Sequence, residues 1–206
     1  MGDSGIGIAP TGVWLTLQLA ALALAAWRVP LAAQYPQPGE FQAVRVMLAA
    51  QFAGLALLFP WLLPNVRMLW VTVAAGWVML LAAGALAAWP LTDVAPAAAF
   101  LTLWILVLAT VRAAIPPSTP MTASALACLY IVGGPLLAYF HQEFATSPAA
   151  NPDLTFGPLF SAISTPHHLP PQAWAQAAGI GIIGFVALVA RRKTQKSAPL
   201  SSIRPS

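Results

Sequence analysis

Six stretches of this chain, residues 11–29, 43–63, 68–89, 96–115, 121–140 and 172–190, each run for 19 to 22 residues with no charge in the middle third. A helix rises about 1.5 Å per residue, so about 20 apolar residues match a hydrocarbon layer of roughly 30 Å. The runs are too long for transmembrane strands and lack the strict alternation that strands require. Only 9 Lys or Arg and 5 Asp or Glu occur among 206 residues, or 7%, against roughly 25% in soluble domains. A water-soluble fold of this size needs polar side chains to cover its surface, and here they are missing. Disorder demands the opposite composition, and a nucleic-acid-binding protein demands a basic face. The expected fold class is therefore all-α: a polytopic transmembrane helical bundle of six spans. It occupies residues 1–190 as a single domain, and residues 191–206 form a basic tail expected to be disordered.

Proline and tryptophan punctuate the division. Pro30, Pro36 and Pro38 follow the first run, Pro64 separates the second from the third, Pro90 closes the third, and Pro116, Pro117 and Pro120 divide the fourth from the fifth. Proline lacks an amide donor and clashes with the preceding turn, so it collects where helices stop. Trp14, Trp27, Trp61, Trp70, Trp89 and Trp174 lie near run ends, where interfacial anchors belong, whereas Trp77 and Trp104 read as packing residues.

Six crossings divide the cations unequally. Arg67, Arg112, Arg191, Arg192, Lys193, Lys196 and Arg204 share one side, and only Arg28 and Arg45 share the other. The positive-inside rule then places both termini in the cytoplasm, and the expected location is the inner (plasma) membrane of a bacterial cell. Leu31-Ala32-Ala33 resembles a signal-peptidase site, but residues 1–10 carry no Lys or Arg, so the first span is expected to be retained.

In a membrane protein the default functional group is an ionisable side chain at bilayer depth, and the six runs contain none there. The intramembrane polar candidates are Gln18 and Gln51, the most costly side chains to leave unpaired and hence expected to face protein. Ala173, Ala177 and Gly181 recur at four-residue spacing, with Gly184 one turn on, a small-residue pattern that lets helix backbones approach. Residues 179–184 also spell G-x-G-x-x-G, but a dinucleotide fingerprint needs a preceding strand and a soluble helix, so close packing is the better reading. Gly133-Gly134-Pro135 marks a kink in the fifth span.

The outer loop, 141–171, holds all three histidines, His141, His167 and His168, together with Glu143. Imidazole and carboxylate are ligands for zinc, copper or iron, which makes these four residues metal candidates, although their spacing matches no established motif. Residues 153–160 of the same loop suggest a segment lying on the membrane interface.

Catalytic constellations are absent from the chain: no H-E-x-x-H, G-x-S-x-G or P-loop pattern occurs, and the single cysteine, Cys128, lies in an apolar run. The expected function is that of a non-enzymatic subunit or assembly factor of a membrane complex. The alternatives are a small permease for a neutral or lipophilic solute and the handling of metal or haem through the outer histidines. No cofactor is required. The partners expected are the lipid bilayer and a membrane protein or a second copy of the chain, and not nucleic acid.

Overall fold

A computed structural model describes residues 8–33, 43–116, 118–134, 136–137, 140, 158–159, 162 and 169–197. They form six helices: α1 (Ile8–Ala33), α2 (Ala43–Leu62), α3 (Val66–Leu86), α4 (Leu91–Ala114), α5 (Pro120–Ile131) and α6 (Pro171–Ser197). No strand occurs among the described residues. All but α5 are long and apolar enough to cross a membrane.

The helix ends follow local chemistry. Asn65, in extended conformation, caps α3 by accepting the Met68 N–H at 3.0 Å through its Oδ1. At the far end Trp89 N–H returns to Gly84 O (2.9 Å) and Ala88 N–H to Ala85 O (3.2 Å). This pair of bonds makes a Schellman closure, and Ala88 takes the left-handed position (φ 54°) that usually falls to glycine. Pro90 then serves as the extended N-cap of α4, with Asp93 in the first turn, where a carboxylate complements the helix dipole.

Several boundaries differ from those read off the sequence, among them the end of the last helix, which continues to Ser197 and so takes in the first residues of the tail expected to be disordered. The first helix passes through Pro30 and ends at Ala33, since a proline one turn from the end forfeits a single ladder bond. The fourth begins at Leu91 rather than at 96, because Pro90 rather than Pro96 is its cap. The fifth run, expected as one span over 121–140, is a continuous helix only to Ile131. Val132 N–H closes it on Cys128 O at 2.9 Å, immediately before Gly133-Gly134-Pro135. Two glycines weaken the helix there, and a proline at 135 has no donor for the Ile131 carbonyl. Gly133, Gly134, Leu136, Leu137 and Phe140 are again helical.

Helices α1 and α2 pack antiparallel, and so do α3 and α4: Gln18 meets Gln51 while Trp14 meets Gly54, and Trp77 meets Thr102 while Gly84 meets Val94. Helix α2 is the most enclosed, lying against α1, α3, α4 and α5. Helix α6 lies along α4 and runs parallel to it, with Trp174 against Phe100, Gly181 against Val107 and Gly184 against Thr110.

An aromatic chain fills the centre. Phe52 of α2 contacts Phe100 of α4 (5.9 Å between centroids), and Phe100 meets Trp174 of α6 edge-on (5.3 Å). Trp104, one turn further along α4, meets Tyr130 of α5 (6.0 Å). Such ring pairs add about 0.5–1.5 kcal/mol beyond the area they bury. Leu159, from the segment 153–160 expected to lie on the membrane interface, is buried in the hydrophobic core instead, as is nearby Ala162.

Candidate functional site

Helices α1, α2 and α3 meet at a polar junction near the middle of each. Gln18 and Gln51 are both fully buried there. The Gln51 Nε2 group donates to Gln18 Oε1 at 2.9 Å and to the Gly76 carbonyl at 3.0 Å. A backbone carbonyl only accepts, so Gly76 obliges Gln51 to present its NH2. Gln18 must then present its oxygen, and the orientation of both amides follows from one carbonyl.

Glycine makes the junction possible. A Cβ on Gly54 would stand 2.7 Å from Cδ1 and 3.1 Å from Nε1 of Trp14. A Cβ on Gly76 would stand 3.9 Å from the far corner of the same indole and 2.9 Å from Leu101. The Trp14 ring therefore lies in a slot between α2 and α3, one turn from Gln18 on α1. Trp14 is not the interfacial anchor that the sequence suggests: it is fully buried, and Gly54 lets α2 come this close to its ring, since a side chain there would meet the indole.

The amides do not satisfy one another completely. Trp14 Nε1, Gln18 Nε2 and Gln51 Oε1 are buried and have no hydrogen-bond partner among the described residues. Two donor groups and one acceptor thus remain within a single turn of α1 and α2.

Elsewhere the interior polar groups divide between those that are bonded and those that are not. Trp77, read from the sequence as packing, also donates to Thr102 Oγ1 at 2.8 Å, and that hydroxyl donates to Ala98 O within its own helix. Thr72 donates to Met68 O and Thr110 to Val107 O, the usual intrahelical outlet for a threonine hydroxyl in apolar surroundings. Trp104 Nε1, Ser124 Oγ and Gln176 Oε1 are buried without a partner among the described residues, on α4, α5 and α6 respectively.

Arg112 has a role that charge counting does not reveal. Its Nε donates to Pro60 O at 2.9 Å. In a continuing helix that carbonyl would receive the N–H of residue 64, but residue 64 is proline. An arginine on α4 therefore caps the C-terminal end of α2, supplying both a donor and the positive charge that a helix C-terminus favours. The sequence signal was present in the Phe59-Pro60-Trp61-Leu62-Leu63-Pro64 run, but nothing local names Arg112 as the donor.

The remaining candidates are placed as follows. Ala173 and Ala177 are fully buried. A Cβ on Gly181 would lie 3.3 Å from Val107 Cγ2, and one on Gly184 would lie 2.8 Å from Thr110 Oγ1, so this face of α6 is the one against α4. Gly133 and Gly134 follow the end of α5, and Pro135 lies outside the described residues. His141, Glu143, His167 and His168 also lie outside them. Among the described residues no group of three or more His, Cys, Asp or Glu side chains is close enough to hold a metal ion. The chain matches no family model, no curated protein and no solved structure.

Proposed function

We propose that the chain is a multi-pass integral membrane protein that crosses the bilayer six times with both termini cytoplasmic, and that it serves as a non-enzymatic component of a membrane assembly. Five helices of spanning length support the membrane setting. The parallel course of α4 and α6 supports a sixth crossing. The chain leaves α4 at Ala114 and enters α6 at Pro171, at the opposite end of the bundle, so it must travel back between them. Helix α5 begins that return, since Tyr130 has reached the level of Trp104.

The observation that carries the assembly role is the division of α6. Its small-residue face is taken up by α4, while Ile182, Ile183, Phe185 and Val186 are exposed. Leu126, Leu129, Leu136 and Leu137 are exposed on and just after α5. These side chains suit lipid or a partner's transmembrane helix. Extraction in a mild detergent followed by cross-linking mass spectrometry tests the role. A cross-linked neighbour, another protein or a second copy, attached through residues 182–186 supports it, and a protein that isolates only as a monomer with no cross-link overturns it. A reporter fused after Ser206 tests the orientation, with cytoplasmic activity expected.

A permease for a small neutral solute is the second proposal, favoured by the unpaired amide atoms of Gln18 and Gln51 at mid-helix depth. It requires solute flux in reconstituted vesicles that falls when Gln51→Leu is introduced.

A further inference from the structure

We infer that the junction of Trp14, Gln18 and Gln51 is an internal hydration site that holds one water molecule between α1 and α2. Three observations specify the ligand. The unpaired groups are Trp14 Nε1, a donor, Gln18 Nε2, which carries two donor hydrogens, and Gln51 Oε1, an acceptor. A ligand serving all three must accept from nitrogen and donate to oxygen, which excludes a metal or ammonium cation because N–H donors would point at its charge. An anion is disfavoured as well, since the residues that define the junction are neutral and an unpaired charge in such a place is very costly.

Size decides the rest. The space between α2 and α3 is taken by the Trp14 indole, to the point that a single methyl on Gly54 would lie 2.7 Å from the ring. On the Gly54 side of the ring there is no room for a solute of several heavy atoms. Water is the smallest molecule with the required two-way hydrogen bonding, and buried waters characteristically make about three such bonds to groups that otherwise lack partners. Here it accepts from Trp14 and Gln18 and donates to Gln51, completing the contact of α1 with the rest of the bundle. The amide orientation set by Gly76 is what leaves exactly these atoms available.

This goes beyond the assembly role and stands independently of it, because the site is internal to one chain. The test is proton NMR of the whole protein, labelled with 15N-tryptophan and held in detergent micelles or nanodiscs. The Trp14 indole N–H is assigned through its contact with Gly54, and again by its loss in Trp14→Phe. The expected result is a cross-relaxation peak between that proton and water, with the sign of a bound, nanosecond-or-longer water rather than of chemical exchange. Gln51→Leu is expected to abolish the peak while the other seven indole signals stay in place. A Trp14 indole proton without any water peak in the unmodified protein overturns the inference. A peak that persists unchanged in Gln51→Leu overturns the assignment of Gln51 as acceptor. The unmodified protein alone supplies the first of these outcomes, so the test survives a variant that fails to fold.

Discussion

Gln51 illustrates how one side chain can hold three helices: its two amide hydrogens reach α1 and α3 from α2. Shortening either glutamine to an apolar residue leaves the other buried with fewer partners, at a cost of about 1–3 kcal/mol. Gln18→Leu and Gln51→Leu are each expected to destabilise the protein by that amount. The double variant should lose clearly less than the two losses added together, because the groups act as one unit. Unfolding titrations in mixed micelles measure all three. The glycines separate in a similar way. Gly54→Ala drives a methyl into the Trp14 ring and is expected to cost about 1–3 kcal/mol. Gly179→Ala meets nothing within 4 Å and should be neutral or stabilise by up to about 1 kcal/mol through helix propensity.

At the scale of the element, the helix ends decide where each span starts and stops. Pro64 ends α2 but also deprives Pro60 of its usual donor, and Arg112 replaces it from another helix. Arg112→Met is expected to destabilise by about 1–2 kcal/mol, because a hydrogen bond from a charged donor to a partly buried carbonyl is lost. Arg112→Lys should recover part of this, since the charge at the α2 terminus remains while the directed Nε bond does not. Comparing the melting of the two variants with that of the unmodified protein in one detergent checks both expectations. The interruption of α5 has a local cause as well. Gly133-Gly134-Pro135 was legible as a weak point, but the exact stop at Ile131 was not, because helix ends shift by a residue or two with the bonds that close them.

For the whole molecule, the parallel packing of α4 and α6 is the relation most open to direct test. In a Cys128→Ser background, Val107→Cys with Gly181→Cys should form a disulfide under mild oxidation, since a Cβ at 181 lies 3.3 Å from Val107 Cγ2. A control pair, Leu91→Cys with Gly184→Cys, joins positions five turns apart in that register and should not cross-link. Failure of the Val107–Gly181 pair to cross-link would remove the support for a sixth crossing.

Hydropathy alone made the helical class, the six apolar runs and the burial of Gln18 and Gln51 readable, because the cost of exposing an amide to hydrocarbon, or a long apolar run to water, depends on the residue and not on its neighbours. Partners are another matter. That Gln51 meets Gln18 and Gly76, that Trp14 packs on Gly54 rather than at a surface, and that Arg112 closes a helix 52 positions earlier in the chain all depend on which faces pack. Nearly uniform apolarity around each helix conceals those faces: when every side is Ala, Leu or Val, periodicity cannot single out the one that turns inward. Only the assembled bundle, with helices close enough for a methyl group to matter, selects it.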